Sequence, residues 1–147
     1  MIYEIDQSGR IEETNRDTII SIANKNFSKT VRIKSSTKRS VEYKYKKLEK
    51  PKMFAVYGFT AGVVMAIKES KLKNGSILID IEYPSYEKII GSILRKIFKD
   101  KFNFKWKNIG RSSPAHNSAY RVFKKRAKAD FVVSQNELEY QMKKFRP

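Results

Sequence analysis

Four residues of this chain belong to types that bind divalent metal ions or move protons. Asp6 ends the first apolar run of the sequence, Asp80 and Glu82 end a second apolar run, and His116 is the only histidine. Hard ions such as Mg²⁺ and Mn²⁺ prefer carboxylate oxygens. Such ions can polarise a phosphodiester, activate a water molecule and stabilise the leaving oxygen. If folding brings the four residues together, they predict metal-dependent hydrolysis.

Each of these residues also has an ordinary structural interpretation. Asp6 begins the sequence Asp-Gln-Ser-Gly, a turn pattern in which Asp accepts hydrogen bonds from backbone amides. Asp80 and Glu82 fit the polar end of a strand, and His116 fits a local hydrogen bond near the start of a helix. The metal hypothesis gains weight only because all four residues fall where the inferred topology would place them side by side.

The charge of the chain points to a polyanionic partner. The sequence has 32 Lys and Arg residues against 15 Asp and Glu residues, which gives a net charge of +17. The segment 95–128 alone holds twelve basic residues and a single acidic one. Such a field attracts a phosphate backbone and predicts nucleic acid, DNA or RNA, as the partner. A thermophilic source would also explain a charge-rich chain without cysteine, but it would not explain the one-sided sign.

Composition excludes several other classes of protein. Without cysteine the chain has no disulfide, no thiolate nucleophile and no cysteine-ligated zinc. No run approaches the roughly 18 apolar residues of a membrane span, and no secretory pattern opens the sequence. These features predict a cytoplasmic protein that does not use a membrane. With 147 residues, of which 40% are hydrophobic, we expect one domain over 1–147 with a C-terminal helical extension at 134–147.

Residue periodicity predicts an α/β fold. Alternating and apolar runs indicate three antiparallel strands followed by two crossover strands, over residues 2–6, 18–23, 30–34, 76–81 and 102–107. The fourth run is almost continuously apolar, which is typical of a strand covered on both faces. In the fifth run aromatic residues alternate with basic ones, which suits a sheet edge.

Helical spacing accounts for most of the remaining chain. It predicts helices over 52–70 and 86–98, and it favours a helix over a strand for the ambiguous segment 40–50. Glycines at 58 and 62 are interpreted as positions of close helix packing. Ser113 followed by Pro114 is typical of a helix start. The face of that helix expected to point inward comprises His116, Ala119, Tyr120, Phe123 and Ala127.

The last helix is predicted from its capping residues. Ser134 and Glu137 have the spacing of a capping box, in which each side chain satisfies a backbone amide of the other residue.

Over residues 1 to about 128, the element order resembles the ribonuclease H-like superfamily. This superfamily includes integrases, RuvC-type resolvases, Argonaute slicer domains and the endonuclease domain of the repair protein UvrC. The resemblance rests on Ile-Asp-Gln-Ser-Gly around Asp6, Ile-Leu-Ile-Asp-Ile-Glu around Asp80, and Ser-Ser-Pro-Ala-His before Asn117. It implies a mixed five-stranded sheet flanked by helices.

The resemblance also implies a catalytic set and a cofactor. The catalytic residues would be Asp6, Asp80 and His116, and the metal ligands would be the same three residues with Glu82, holding Mg²⁺ or Mn²⁺. An Asp, Asp, His set is similar to that of the repair endonuclease and some slicers. Typical ribonucleases H carry a Glu in the first helix where this chain has Phe-Thr-Ala at 59–61, a departure that favours the three-residue variants.

The function expected from these features is hydrolysis of phosphodiester bonds in DNA or structured nucleic acid. A non-catalytic nucleic-acid-binding protein of the same fold is the alternative, and a ribosome-associated protein ranks third. A resolvase-like activity would require two sites and therefore a homodimer. The residues expected to contact phosphates are basic and lie in the C-terminal half: Lys105, Lys107, Arg111, Arg121, Lys124, Lys125 and Lys128.

Overall fold

The computed structural model describes residues 1–48 and 51–146, which fold into one mixed sheet and its helices. The strands are β1 (Ile2–Ser8), β2 (Thr18–Asn24), β3 (Phe27–Ile33), β4 (Gly75–Asp80), β5 (Phe102–Lys107) and β6 (Phe131–Val132). Their spatial order is β5-β4-β1-β2-β3-β6. Strands β1, β2 and β3 pair antiparallel, whereas β4 pairs parallel with both β1 and β5. The predicted meander with two crossover strands is therefore confirmed.

The predicted strand number of five is wrong, because the described residues contain a sixth strand. Strand β6 is only two residues long and pairs parallel with β3, with Val31 opposite Phe131. A two-residue strand shows no periodicity, and it exists only because the edge of β3 offers unpaired backbone groups. The amide of Val133 extends the pairing by donating to the carbonyl of Arg32 at 2.9 Å.

Five α-helices surround the sheet in the described part of the chain. They are α1 (Ser35–Lys47), α2 (Pro51–Ser70), α3 (Glu87–Phe98), α4 (Pro114–Phe123) and α5 (Gln135–Phe145). The ambiguous segment 40–50 is helical as far as Lys47, and its last two residues, Glu49 and Lys50, lie outside the described residues. The predicted capping box at Ser134 is present. Within 1–48 and 51–146, no helix combines the length and apolarity needed to cross a membrane.

The main core lies on one face of the sheet. Side chains from α1, α2, α3 and α5 pack there against alternate strand residues such as Ile5 and Ile79. Helix α2 lies so close to the sheet that a Cβ on Gly62 would collide with Ile20, which confirms close packing at this glycine. On the opposite face, α4 packs across β1, β2 and β3, with a small separate cluster around Ile19 and Ala119.

This one-sided cover corrects the prediction for β4. The strand was expected to be covered on both faces, but only Ile77 and Ile79 are buried, whereas Leu78 and Asp80 are half-exposed. The reason is that α4 lies over β1 to β3 and leaves the same face of β4 and β5 open. The surface of the sheet beside Asp80 is therefore left uncovered by α4.

The predicted inner face of α4 also needs correction. Ala115, Ala119 and Val122 are the buried residues of this helix, while Tyr120 is 40% exposed. The helix ends at Phe123, so Ala127 does not belong to it. The sequence pattern was misleading because a helix on a polar sheet face uses small residues for contact and leaves a large ring outside.

Candidate metal centre

Asp6 and Asp80 are neighbours because β1 and β4 are parallel and adjacent. The register pairs Ile5 with Ile79, so the two aspartates occupy the next position on each strand. Adjacent strands are about 4.8 Å apart, and side chains alternate between the two faces. Since Ile5 and Ile79 point into the main core, both aspartates point to the face that carries α4.

Glu82 completes a cluster of three carboxylates. One carboxylate oxygen from each of Asp6, Asp80 and Glu82 lies within 4.8 Å of the others. Glu82 was expected to follow Asp80 on a continuing strand, but β4 ends at Asp80. The chain stays beside β5 for one further residue, because the amide of Ile81 donates to the carbonyl of Lys107 at 3.1 Å. The carboxylate therefore reaches the cluster from the segment after the strand.

Arg10 holds that segment in place. Its Nη2 donates to the backbone carbonyl of Glu82 at 2.8 Å, and its Nη1 lies 3.5 Å from Oε2 of the same residue. The guanidinium also lies 5.0 Å from the centre of the Tyr83 ring. Arg10 follows Gly9, whose φ of 77° and contact with Phe123 leave no room for a Cβ. Sequence reasoning missed Arg10, because a lone arginine after a turn has no pattern that predicts its partner.

The N-terminus of α4 brings His116 to Asp6. Ser113 caps the helix as predicted: its Oγ accepts from the amide of Ala115 at 3.1 Å and donates to Glu4 of β1 at 2.8 Å. Nδ1 of His116 then lies 2.9 Å from Oδ2 of Asp6, which is 3% exposed. If Nδ1 carries the hydrogen that donates to the carboxylate, Nε2 keeps a free lone pair for a ligand or a proton.

Burial and mutual repulsion raise the proton affinity of this cluster. Burial raises the pKa of Asp6 above its ordinary value, the Asp80 carboxylate adds to the rise, and the hydrogen bond from His116 opposes it. Burial, and then the hydrogen bond and charge of Asp80, raise the pKa of Glu82 to about 8. The nearby Arg10 favours the charged form of Glu82, but at 3.5 Å it does not outweigh these effects. A divalent cation would replace the bound proton and relieve the repulsion.

Metal binding is therefore expected to depend on pH. Below about pH 8 an ion must displace the proton of Glu82, so the apparent affinity should rise by about tenfold per pH unit and level off above that value. Without metal, the folded protein holds this proton between the ordinary pKa of 4.5 and about 8, so its stability should fall as the pH rises through this window. Isothermal titration calorimetry with Mn²⁺ at pH 6.5, 7.5 and 8.5 measures how the metal affinity depends on pH.

The matched control for this prediction is Glu82→Gln. The variant should bind Mn²⁺ more weakly at high pH and lose most of the pH dependence. An affinity that is constant between pH 6.5 and 8.5 in the original protein would contradict the assignment of Glu82 as a ligand.

The basic residues predicted to contact phosphates form two exposed groups. Lys105 and Lys107 lie on the outer strand β5 on the same face as Asp80, and Arg111 follows in the loop before α4. Lys107 lies 3.5 Å from Glu4, although its side chain remains 56% exposed. The second group lies at or beyond the C-terminal end of α4 and is also exposed: Arg121, Lys124, Lys125 and Lys128.

The arrangement can hold a metal ion through Asp6, Asp80 and Glu82, with the imidazole of His116 directly beside it. Carboxylates in this number suit a hard divalent cation. Comparisons of the chain with protein-family models, curated proteins and solved structures found no match. What the centre does must therefore be argued from its own geometry.

Proposed function

We propose that this protein is a metal-dependent nuclease of ribonuclease H-like fold, which hydrolyses phosphodiester bonds in DNA or structured nucleic acid with Mg²⁺ or Mn²⁺. The observation that carries the proposal is the convergence of Asp6, Asp80 and Glu82 within 4.8 Å, on the face of the sheet that carries α4 and beside the part of that face that α4 leaves uncovered. The chain around them has a net charge of +17. A carboxylate cluster within a basic protein suits a phosphate substrate bound through metal ions.

The strand order supports the fold assignment. The two aspartates lie on the neighbouring strands β1 and β4, side by side as the ribonuclease H-like resemblance requires of the first and fourth strands. The third carboxylate comes from Glu82, after β4, and not from the first long helix, where Thr60 is fully buried. The proposed centre therefore combines Asp6, Asp80 and His116 with Glu82 as a further ligand, and it lacks the first-helix Glu of the typical ribonuclease H set.

The ordinary interpretation of Asp6 as a turn residue does not account for its position. Strand β1 continues to Ser8, so Asp6 lies inside the strand, where it is 3% exposed. Its Oδ1 accepts from the amide of Gln7 at 2.9 Å, but its Oδ2 faces His116. Burying a carboxylate beside two others costs free energy unless a cation compensates. A metal ligand explains why an acidic residue occupies this position.

Each group has a distinct role in the proposed reaction. The metal supplies polarisation of the phosphate and activation of water when it is bound. Asp6, Asp80 and Glu82 would hold it, and the Asp6 carboxylate orients the ring of His116 so that Nε2 can accept or deliver a proton. Exposed lysines such as Lys105 fix the position of the nucleic-acid backbone but do not contribute to bond cleavage.

His116→Asn tests the role of the imidazole. The variant removes Nε2 but keeps a side chain that can donate to Asp6, so we expect hydrolysis to fall by about 100-fold with little change in substrate affinity. Asn117→Ala, an exposed neighbour on the same helix, is the control and should retain activity. Equal rates for His116→Asn and the original protein would remove His116 from the mechanism.

The proposed activity is tested with labelled branched DNA, single-stranded DNA, duplex DNA and an RNA/DNA hybrid, each incubated with Mg²⁺, Mn²⁺ or EDTA. We expect cleavage of at least one substrate with either metal and none with EDTA. Salt-sensitive binding without any product under all metal conditions would refute the nuclease and leave a nucleic-acid-binding protein.

A further inference from the structure

Three helices in the described part of the chain are followed by a lysine that has a positive φ angle. Lys71 follows α2, Lys99 follows α3 and Lys125 follows α4, with φ values of 60°, 55° and 59°. This conformation is unfavourable for residues with a Cβ, and glycine is the usual residue at such a helix end. A lysine at this position therefore carries a strain that glycine would relieve.

Lys125 differs from the other two in its surroundings. It lines two adjoining depressions, one of about 460 Å³ and one of about 350 Å³, and Arg32 lines both. Arg126 and Lys128 line the first, and Arg16 lines the second. Asp17 is the only acidic residue that lines either depression, and it is paired with Arg32 at 2.6 Å. The depressions therefore combine five basic side chains, of which Arg32 is paired with Asp17 and Arg16 with Glu13, at 2.8 Å for the second pair.

Two backbone hydrogen bonds close the turn at Lys125. The amide of Lys125 donates to the carbonyl of Val122, and the amide of Arg126 donates to the carbonyl of Arg121, at 2.9 and 2.8 Å. These bonds close the end of α4 and set the positive φ of Lys125. The side chain of Lys125 therefore starts from a hydrogen-bonded turn.

This turn lies on the same side of the sheet as the metal centre. Helix α4 begins beside Asp6, where His116 makes its contact, and ends beside Gly9, next to Phe123. From His116 to Phe123, the last residue of α4, the helix rises by about 10 Å, and Lys125 follows two residues later. Lys71 and Lys99, in contrast, precede β4 and β5, at the ends of these strands away from Asp80.

We infer that the depressions around Lys125 form a phosphate-binding site for the nucleic-acid substrate, about 10–15 Å from the metal centre. The chemical basis is a concave surface lined by several cationic side chains, which fits a phosphodiester group. The identity of the ligand rests on the proposed function, whereas the site itself rests on the residues around Lys125.

Lys125→Gly tests the inference, and Lys71→Gly is its matched control. Both variants lose one positive charge and relieve the same backbone strain, so both should raise the melting temperature by about 2–6 °C. Only Lys125→Gly should weaken binding of a fluorescent 20-base-pair DNA duplex in EDTA, by about three- to tenfold. The slope of log affinity against log salt should fall by about 0.9 for this variant alone.

If Lys125→Gly and Lys71→Gly bind the duplex with equal affinity and with equal slopes of log affinity against log salt, the inference is wrong. It is also wrong if the original protein does not bind the duplex. These outcomes are separate from the test of hydrolysis, because binding is measured without metal. If Lys125→Gly binds the duplex more weakly than Lys71→Gly but the original protein cleaves no substrate, the phosphate-binding site is supported and the nuclease proposal is refuted. If the original protein cleaves a substrate but the two variants bind the duplex equally, the nuclease proposal is supported and the phosphate-binding site is refuted.

Discussion

Asp6→Asn and Asp80→Asn are each expected to reduce phosphodiester hydrolysis by about 10³-fold or more. Partners that only orient a metal ligand cost 10- to 100-fold when they are removed, so loss of a direct carboxylate ligand should cost more. Binding of nucleic acid should stay the same or become tighter, since each variant removes a negative charge that repels phosphate. Initial cleavage rates and equilibrium binding in EDTA, measured on the same substrate, separate the two effects.

Asp100→Asn is the control for this prediction. Asp100 is exposed and lies in the short turn before β5, so its loss changes the net charge by the same amount without touching the centre. It should cleave like the original protein. If Asp6→Asn and Asp80→Asn cleave as fast as Asp100→Asn, the three carboxylates do not form the catalytic centre.

Lys38→Met is expected to destabilise the fold by about 3–4 kcal/mol, the largest effect on stability that we predict. Lys38 is completely buried, and its Nζ donates to the carbonyls of Arg10 and Glu13 and to Oγ1 of Thr18, at 3.1, 2.8 and 2.9 Å. Burial lowers its pKa to about 8, so the amine remains mostly protonated at neutral pH and can serve all three acceptors. Methionine fills a similar volume but leaves these acceptors without a donor.

Urea unfolding at pH 7 measures this loss, with Lys88→Met on the exposed face of α3 as the control. The control should change the free energy of unfolding by no more than about 0.5 kcal/mol. Because Lys38 fixes the carbonyl of Arg10, and Arg10 fixes Glu82, the folded fraction of Lys38→Met should also bind Mn²⁺ more weakly. An unfolding midpoint equal to that of the control would show that the buried hydrogen bonds of Lys38 are dispensable.

The sequence was sufficient to predict the α/β class and the ligand candidates. Alternation and apolar runs identified the strands, and acidic residues at the ends of Ile-rich runs identified Asp6 and Asp80. Glu82 was expected to lie beside Asp80 because the strand would continue through it, and this reason is wrong. Strand β4 ends at Asp80, and a backbone hydrogen bond from Ile81 to β5 brings the following residue to the cluster. Periodicity predicts which face a residue takes within a strand, but not where the strand ends.

The residues that support the centre were not predictable from local patterns. Arg10 and Lys38 are ordinary charged residues in the sequence, and their importance arises from acceptors 20 to 72 positions away. The left-handed conformation of Lys125 was hidden as well, since glycine is the residue that predicts such a turn. In each case contacts between distant parts of the chain outweigh the local conformational preference of the residue. The role of the residue is therefore visible only in the folded structure.

Anomalous scattering from crystals soaked in Mn²⁺ is the decisive experiment for the metal centre. We expect a peak at coordination distance from carboxylate oxygens of Asp6, Asp80 and Glu82, with the imidazole of His116 alongside. Well-diffracting soaked crystals at pH 8.5 that show no anomalous peak at these carboxylates, or a peak only elsewhere, would contradict the metal centre and with it the proposed hydrolysis.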